Sequence, residues 1–354
     1  MVSSPSKHLL IASSEPYTGK TATILGIAHQ LQKKGVKLGY GKPIGTCFNL
    51  NDTTQDEQDL QFISQILNLP QERVKAPLLL LNEKSIGDYL HQETDYQQDL
   101  KEYCSAIEAD LILLEGAGNL TQGKLFNLSV PEIVEEISAQ VLLVIKYDGL
   151  LIVDQILSAQ QILGDRLLGV LINSIPNDAL DHIESDLKPF FQSKGIDILG
   201  TLPTDRLLQS VSVRELVSQL NAKVLCRENR LDLMVETLTV GAMNVNSALE
   251  YFRRGQNMAV VTGSDRTDLQ LAALESSTSC LILTGHTPPQ QLILARAEDL
   301  EIPILMVDCD TLTTVEIVDR AFGKVRLHET IKVECMQNLI EEHFNVDLLL
   351  EKLG

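Results

Sequence analysis

The sequence predicts an α/β protein with a mainly parallel sheet in each of two domains. Short runs of Val, Ile and Leu alternate with helix-length segments through the first two thirds of the chain, as in βαβ units. Several runs are almost continuously aliphatic, as expected for strands that are covered on both faces. The 354 residues, 44% of them hydrophobic, provide enough apolar material for more than one core. We therefore expect two domains.

The first domain is predicted over residues 1–206. Its predicted strands are 9–12, 38–42, 110–114, 141–145, 168–172 and 198–201. Its predicted helices are 21–34, 59–68, 131–139, 153–163 and 179–192. The stretch 75–103 is polar and has no clean periodicity, so we expect an inserted loop or a small excursion beside the site there.

A second, smaller domain is predicted over residues 207–328, followed by a helical tail over 329–354. An amphipathic segment, 207–220, separates the two domains, and the second opens with an apolar run at 222–225. Its predicted strands are 258–261, 279–283 and 304–307, and its predicted helices are 268–275, 290–298 and 314–321.

The strongest functional motif lies at the start of the chain. A strand-like run, 9–12, is followed by a polar loop and then by Gly19-Lys20-Thr21 at the start of a helix, which is the context of a P-loop. Loop N–H groups cradle phosphate, Lys20 adds a positive charge, and Thr21 offers a hydroxyl to Mg²⁺. Ser14 stands where the usual spacing has glycine. The alternative is a solvated turn that caps an ordinary helix.

Further polar residues follow the predicted strands of the same domain. Lys42 lies in a Gly-Lys-Pro turn that would direct it into the crevice at the carboxyl edge of the sheet, or it is simply an exposed lysine in a turn. Glu115 follows four aliphatic residues, as a Mg²⁺-binding carboxylate does, or it caps a helix. Asp56 or Asp59 could add a third carboxylate, or could reflect the acidic bias of a helix start. Asn173 ends another strand, and its amide could contact adenine.

The charge and the cysteines limit the class of protein. The net charge of −19, from 29 basic and 48 acidic residues, disfavours binding to nucleic acid or to anionic membranes. The six cysteines show no metal-ligand spacing and indicate thiols in a reducing compartment. The N-terminus lacks a signal pattern, and no apolar run approaches about 18 residues, so we expect a cytoplasmic protein without a membrane span.

The order of these motifs resembles a known family. The first domain resembles the dethiobiotin synthetase-like branch of P-loop proteins, and Ser14-Glu15-Pro16 resembles the N-terminal domain of long bacterial phosphate acetyltransferases. Residues 222–325 resemble the DRTGG domain that follows there, although Asp268-Leu269 stands where the domain's name suggests two glycines. Those transferases continue into a catalytic domain, and nothing follows Gly354 here, so acetyl transfer is not expected.

The resemblance also implies roles for individual residues. Thr21, Asp59 and Glu115 would hold Mg²⁺, Lys42 would face a co-substrate, and Asn173 would contact the base. The predicted nucleotide contacts are Tyr17, Thr18, Gly19, Lys20, Thr21, Lys42 and Asn173. In the second domain, Asp265 and Arg266 follow a strand and would hold a second, unidentified small molecule, or they form a pair that fixes a turn.

Two functions remain open at this point. The chain is either a regulatory or sensor protein that binds ATP and Mg²⁺ and controls a partner enzyme, or an ATP-dependent ligase or carboxylase. Weak ATP hydrolysis is compatible with both. The leucine-rich tail, with Leu348, Leu349, Leu350 and Leu353, would expose more apolar surface than a monomer usually tolerates, so we expect a homodimer or a larger symmetric assembly.

Overall fold

The computed structural model describes residues 7–45, 54–322, 327 and 329–354, with the backbone alone for residues 54–59. The chain forms two compact units. The first unit comprises Met1–Thr204 together with Leu327–Gly354, and the second comprises Asp205–Arg326. The second unit is therefore an insertion, in sequence, between the last strand of the first unit and the C-terminal helices.

The first unit consists of nine strands and eight helices before the insertion, counted over the described residues. The strands are β1 Lys7–Ser13, β2 Leu38–Gly41, β3 Ile44–Gly45, β4 Val74–Lys75, β5 Leu79–Leu80, β6 Leu111–Glu115, β7 Gln140–Lys146, β8 Leu167–Ile175 and β9 Ile198–Pro203. The helices are α1 Lys20–Lys33, α2 Thr54–Ile66, α3 Glu83–His91, α4 Gln97–Ser105, α5 Val130–Ile137, α6 Ile152–Leu163, α7 Leu180–His182 and α8 Lys188–Ser193.

Seven of these strands form one parallel sheet, in the order β4-β2-β6-β1-β7-β8-β9. The central strands β6 and β7 are mainly aliphatic, and their aliphatic residues are buried, as expected for strands that are covered on both faces. From β1 the chain first runs to β2 on one side, and it later fills the other side with β7, β8 and β9. Such a reversal opens a crevice at the carboxyl end of β1, where open α/β sheets bind ligands.

The second unit has a five-stranded sheet in the order β11-β16-β15-β14-β13, in which β11 alone is antiparallel. Its strands are β10 Val211–Ser212, β11 Lys223–Cys226, β12 Met234–Val235, β13 Thr237–Gly241, β14 Met258–Gly263, β15 Thr278–Thr284 and β16 Ile304–Val307. Its helices are α9 Arg206–Gln209, α10 Val213–Leu220, α11 Val245–Phe252, α12 Thr267–Leu274, α13 Gln291–Asp299 and α14 Thr311–Phe322. The parallel strands follow one another in a single direction across the sheet.

Two C-terminal helices, α15 Thr330–His343 and α16 Val346–Leu353, pack on the first unit. A side chain at Gly26 of α1 would lie 2.5 Å from Ile340 Cγ1, so glycine permits the close approach of α15. Lys34 of α1 is bonded to Asp347. Leu349 is buried, and the other three leucines of this segment are partly buried against the same chain. The exposure on which the predicted oligomer depended is therefore smaller than the sequence suggested.

The predicted fold class is confirmed. All six strands predicted in the first domain are present, as are the three predicted strands and three predicted helices of the second. Residues 75–103 are not a plain loop, because they contain α3 and most of α4. The signal was available: apolar residues stand at i, i+3 and i+4 in both helices, Ile86, Tyr89 and Leu90 in α3 and Leu100, Tyr103 and Cys104 in α4. In addition, α3 begins with a capping box between Asn82 and Ser85.

The structure also bears on the expectations from composition. None of the five described cysteines is part of a disulfide, and burial raises the pKa of both Cys104 and Cys280 to about 12. Within the described ranges, no helix combines the length and apolar character needed to cross a membrane.

Candidate functional site

The predicted P-loop forms a strand–loop–helix turn at the carboxyl end of β1. Strand β1 ends at Ser13, and α1 begins at Lys20. Gly19 precedes the helix with a φ of 96°, in the left-handed region that glycine occupies at little cost. The backbone of Tyr17 is also in the left-handed region, with a φ of 59°. This backbone turns the first N–H groups of α1 towards the crevice, where a helix N-terminus attracts anions.

Lys20 is held inside this turn. It is only 8% exposed, and its Nζ donates a hydrogen bond of 2.8 Å to Ser13 Oγ. Burial lowers the pKa of the Lys20 ammonium, which the negative charge of Glu115 opposes and the positive charge of Lys42 reinforces. A buried cation with a lowered pKa in a crevice is typical of a functional group.

Thr21 and Glu115, the two residues predicted to hold Mg²⁺, are in contact. Thr21 Oγ1 donates to the Glu115 carboxylate, at 3.0 Å from Oε1 and 3.2 Å from Oε2. The sequence reasoning missed the third member of this group, Tyr40, whose hydroxyl donates to Glu115 Oε2 at 3.0 Å. Tyr40 is buried on β2, directly beside β6. The signal was available, since a tyrosine in an otherwise buried strand usually has a hydrogen-bond partner for its hydroxyl.

The donor set of this group fits a hard divalent cation. One hydroxyl and one carboxylate supply the oxygen ligands that Mg²⁺ prefers, and Mg²⁺ at nucleotide sites takes its other ligands from phosphates and water. Asp59, the other predicted ligand, belongs to α2, and its side chain lies outside the described residues. In the part of the chain that the structure describes, no cluster of three His, Cys, Asp or Glu side chains could hold a metal by itself.

Lys42 follows β2 at the rim of the crevice and is half-buried. Its backbone N–H donates to Tyr103 Oη at 2.9 Å, and that hydroxyl donates to Lys75 O at 3.0 Å. Burial raises the pKa of Tyr103, so the phenol stays neutral and keeps both bonds. Tyr103, which the sequence reasoning missed, thus fixes the turn that carries Lys42. Burial is the main cause of the lowered pKa of Lys20, and the positive charge of Lys42 lowers it further.

Asn173 also lies beside the P-loop. Its Nδ2 donates a hydrogen bond of 2.8 Å to Thr18 O, across 155 residues of sequence. Ser14, at the position where glycine is usual, is bonded instead to Gln155 of α6, with Oγ 3.4 Å from Oε1. The structure therefore brings together Tyr17, Thr18, Gly19, Lys20, Thr21, Lys42, Glu115 and Asn173.

The residues predicted for a second ligand lie at the turn between β14 and α12 of the second unit. Arg266 pairs with Asp268, with Nε 3.2 Å from Oδ1, rather than with Asp265 as the alternative interpretation had it, and its Nη2 donates to Met243 O. Beneath the turn, the fully buried Gln270 donates to Gly263 O at 2.9 Å. The arginine therefore stabilises the local structure of the turn, and its contact with a ligand stays a prediction.

Two family models match the chain. The model described as an AAA domain matches residues 7–212, and the DRTGG domain matches residues 215–321. Phosphate acetyltransferase of Synechocystis sp. is 24% identical over 372 residues, covering 98% of this chain and 51% of that protein. Phosphate acetyltransferase of Nitrosomonas europaea is 25% identical over 369 residues, covering 98% and 52%. The resemblance inferred from the motifs is thereby confirmed, and the chain spans about half the length of the curated relatives it matches.

Among solved structures, the CBS and DRTGG domains of the regulatory region of Clostridium perfringens pyrophosphatase, in complex with its activator diadenosine tetraphosphate, cover 44% of this chain and 80% of that chain. The identity is 19% and the TM-score is 0.29. The family models, rather than this likeness, identify the domains.

Proposed function

Because the chain belongs to the AAA domain family that matches residues 7–212, and joins that domain to a DRTGG domain, we propose that it is a regulatory or sensor protein that binds ATP with Mg²⁺. The observation that carries the proposal is the group of Lys20, Thr21 and Glu115 at the carboxyl end of β1. A buried ammonium, a helix N-terminus and a hydroxyl–carboxylate pair are complementary to a polyphosphate and its magnesium ion.

Each residue has a distinct part in this proposal. Lys20 moves its hydrogen bonds from Ser13 to the terminal phosphates, and the loop N–H groups hold the same phosphates from the other side. Thr21 and Glu115 are the protein ligands of Mg²⁺, the first directly and the second directly or through water. When bound, the ion neutralises phosphate charge. Tyr40 keeps the Glu115 carboxylate turned towards Thr21.

The regulatory part of the proposal rests on the way the chain is connected. The second unit is inserted between β9 and α15, and α15 packs on α1, the helix that begins with Lys20. Both ends of the insertion are thus tied to elements of the nucleotide-binding unit. A ligand of the second unit could therefore change ATP affinity, and the coupling would be reciprocal. By analogy with its relatives, the controlled partner would be an enzyme of acetyl-phosphate chemistry.

A second candidate function is favoured by Lys42. Its ammonium lies close enough to Lys20 to affect the pKa of that group, yet it follows β2 rather than the P-loop. A second lysine in this position suits an acidic co-substrate, as an ATP-dependent ligase or carboxylase requires.

We also propose a cytoplasmic location, which is consistent with five described cysteines outside disulfides. We further propose a homo-oligomer, which light scattering at tens of micromolar would test.

Calorimetry and hydrolysis assays separate the two functions. ATP is titrated into the protein with and without each member of a metabolite panel, and steady-state phosphate release is measured under the same conditions. A sensor shows a metabolite that changes ATP affinity by about 5- to 150-fold without sustained turnover. An enzyme shows a metabolite that starts sustained ATP consumption, and Lys42→Ala abolishes that consumption. ATP affinity and hydrolysis that no metabolite changes would contradict the regulatory proposal.

A further inference from the structure

The side-chain amide of Asn173 is used at both ends by the protein itself. Its Nδ2 donates to Thr18 O at 2.8 Å, and its Oδ1 accepts a hydrogen bond of 2.8 Å from the N–H of Ser174. Reading the edge of an adenine would require a donor and an acceptor pointing the same way at the base. Here one amide N–H is directed at the P-loop and the oxygen accepts from the following residue, so the two bonds that the amide makes both hold it within the chain.

The backbone around Asn173 is irregular in a way that directs this side chain. Between Ile172 and Ile175, the register of β8 with β9 shifts, so three steps on β8 match two on β9. Ser174 has a φ of 58°, a left-handed conformation that a residue other than glycine adopts only when its surroundings impose it. Tyr147 N–H donates to Asn173 O at 2.8 Å and holds the bulge in place. Such bulges redirect side chains near functional sites.

The P-loop is shaped to receive the amide. A Cβ on Gly19 would lie only 2.6 Å from Asn173 Nδ2, so the amide occupies the space that a side chain would need. The same bond fixes the carbonyl of Thr18, whose peptide unit carries the N–H of Gly19. The direction of the loop N–H groups decides how well they meet a phosphate.

From this geometry we infer that Asn173 is a positioning residue, which fixes the P-loop at Thr18 and Gly19 and thereby sets affinity for the phosphate chain of any nucleotide instead of selecting the base. The effect on phosphate affinity rests on the proposed nucleotide binding. The effect on the loop itself does not, because it follows from contacts within the chain.

Hydrogen–deuterium exchange tests the loop directly, without a nucleotide. The variants are Asn173→Ala and Asn173→Asp, of which the second keeps the shape and the acceptor but loses the donor to Thr18. The matched control is Asn177→Ala, at an exposed asparagine four residues along. We expect the amides of residues 18–23 to exchange about three- to tenfold faster in both variants than in wild type and control, as for one lost hydrogen bond. Unchanged exchange in both variants would overturn the inference.

Binding of tripolyphosphate, ATP and GTP tests the consequence. In Asn173→Ala, we expect affinity for all three to fall by the same factor, about three- to tenfold. If tripolyphosphate binds as in wild type while the preference between ATP and GTP collapses, Asn173 reads the base and the inference is wrong. If wild-type protein binds none of the three, the proposed function fails, and the exchange experiment still decides whether Asn173 holds the loop.

Discussion

Charged side chains at the carboxyl edge of the sheet are buried in the first unit and exposed in the second. In the first unit, Lys20 and Glu115 are 8% and 6% exposed, and each is bonded to hydroxyl groups. In the second unit, the Arg266 side chain is 36% exposed and closes on Asp268, two residues along the chain. Burying a charge is costly, whereas an exposed pair costs and contributes little. The buried charges are therefore the ones that indicate a functional site.

Strand order explains this difference. In the first unit the order reverses at β1, so the crevice lies at the P-loop itself. In the second unit the parallel strands β13, β14, β15 and β16 follow one another in one direction, which opens no such crevice. Both units thus contain a strand–turn–helix segment with polar residues. Among the described residues, the segment in the first unit lies where the strand order reverses and has buried charged side chains, whereas the one in the second unit does not. The following predictions test that contrast, from the largest expected effect to the smallest.

Replacing Lys20 should have the largest effect. We expect Lys20→Met to weaken ATP binding by at least about 100-fold, because it removes a desolvated charge that faces phosphate, worth about 2.7 kcal/mol or more. Calorimetric titration measures the change, with the exposed Lys194→Met as the matched control. Wild-type affinity in a folded Lys20→Met variant would contradict the P-loop assignment.

Loss of Glu115 should act on the metal. In Glu115→Gln, we expect ATP affinity in EDTA to stay within about threefold of wild type, while the gain from Mg²⁺ falls about tenfold or more, since a neutral amide is a poor ligand for this ion. The exposed Glu135→Gln is the control. The same Mg²⁺ dependence in Glu115→Gln and wild type would reduce Glu115 to a structural partner of Thr21.

Tyr40→Phe removes one hydrogen bond to a buried carboxylate. We expect the free energy of unfolding to fall by about 1.5–3 kcal/mol, the range for bonds to charged groups. Urea denaturation measures this, with Tyr251→Phe in the second unit as a control, because Tyr251 is 56% exposed. Equal stability of the two variants would show that the Tyr40 hydroxyl does not hold Glu115.

Burial of Lys20 also predicts a pH dependence of stability. The folded-state pKa of Lys20 lies below 10.5, so between the two values the unfolded chain binds a proton that the folded chain does not. Stability attributable to this residue therefore rises with pH across that window. The difference in unfolding free energy between wild type and Lys20→Met should shift in favour of wild type from pH 8 towards pH 10.5. A constant difference would mean that the ammonium is not desolvated.

The smallest effect is expected in the second unit. Arg266→Ala should lower the free energy of unfolding only slightly, because its ion pair with Asp268 is exposed. Arg296→Ala, which breaks the exposed pair with Glu275, should do the same and serves as the control. If a metabolite stabilises wild type and Arg296→Ala against heat but not Arg266→Ala, Arg266 contacts the ligand that the regulatory proposal assigns to the second unit. Equal protection of all three proteins would limit Arg266 to a role in the structure of the turn.

The sequence was sufficient for six of the seven strands of the first sheet and for the charged residues of the site, but not for the partners of those residues. Gly19-Lys20-Thr21 and Glu115 follow strand-like runs, so both could be found from local pattern. Tyr40 could not be assigned to Glu115, because their contact depends on β2 lying beside β6, which strand order decides. The contact of Asn173 with Thr18 depends on a bulge in β8 that no local pattern shows.

Two elements of the second unit were missed for a different reason. Strand β13 is a half-buried edge strand, and its Thr-Leu-Thr-Val alternation is a period-two signal that was available in the sequence. Helix α11 has only eight residues, but its apolar residues Val245, Ala248, Leu249 and Phe252 stand at i, i+3, i+4 and i+7, and Asn244 caps its start. Both signals could therefore have been found in the sequence.

The central claim, that the buried charges at β1 form a magnesium–nucleotide site, is tested most directly by titrating ATP into wild-type protein in Mg²⁺ and again in EDTA. The account predicts saturable binding with one ATP per chain, at least about tenfold tighter in Mg²⁺ than in EDTA. No binding in either buffer, or equal affinity in both, would contradict it.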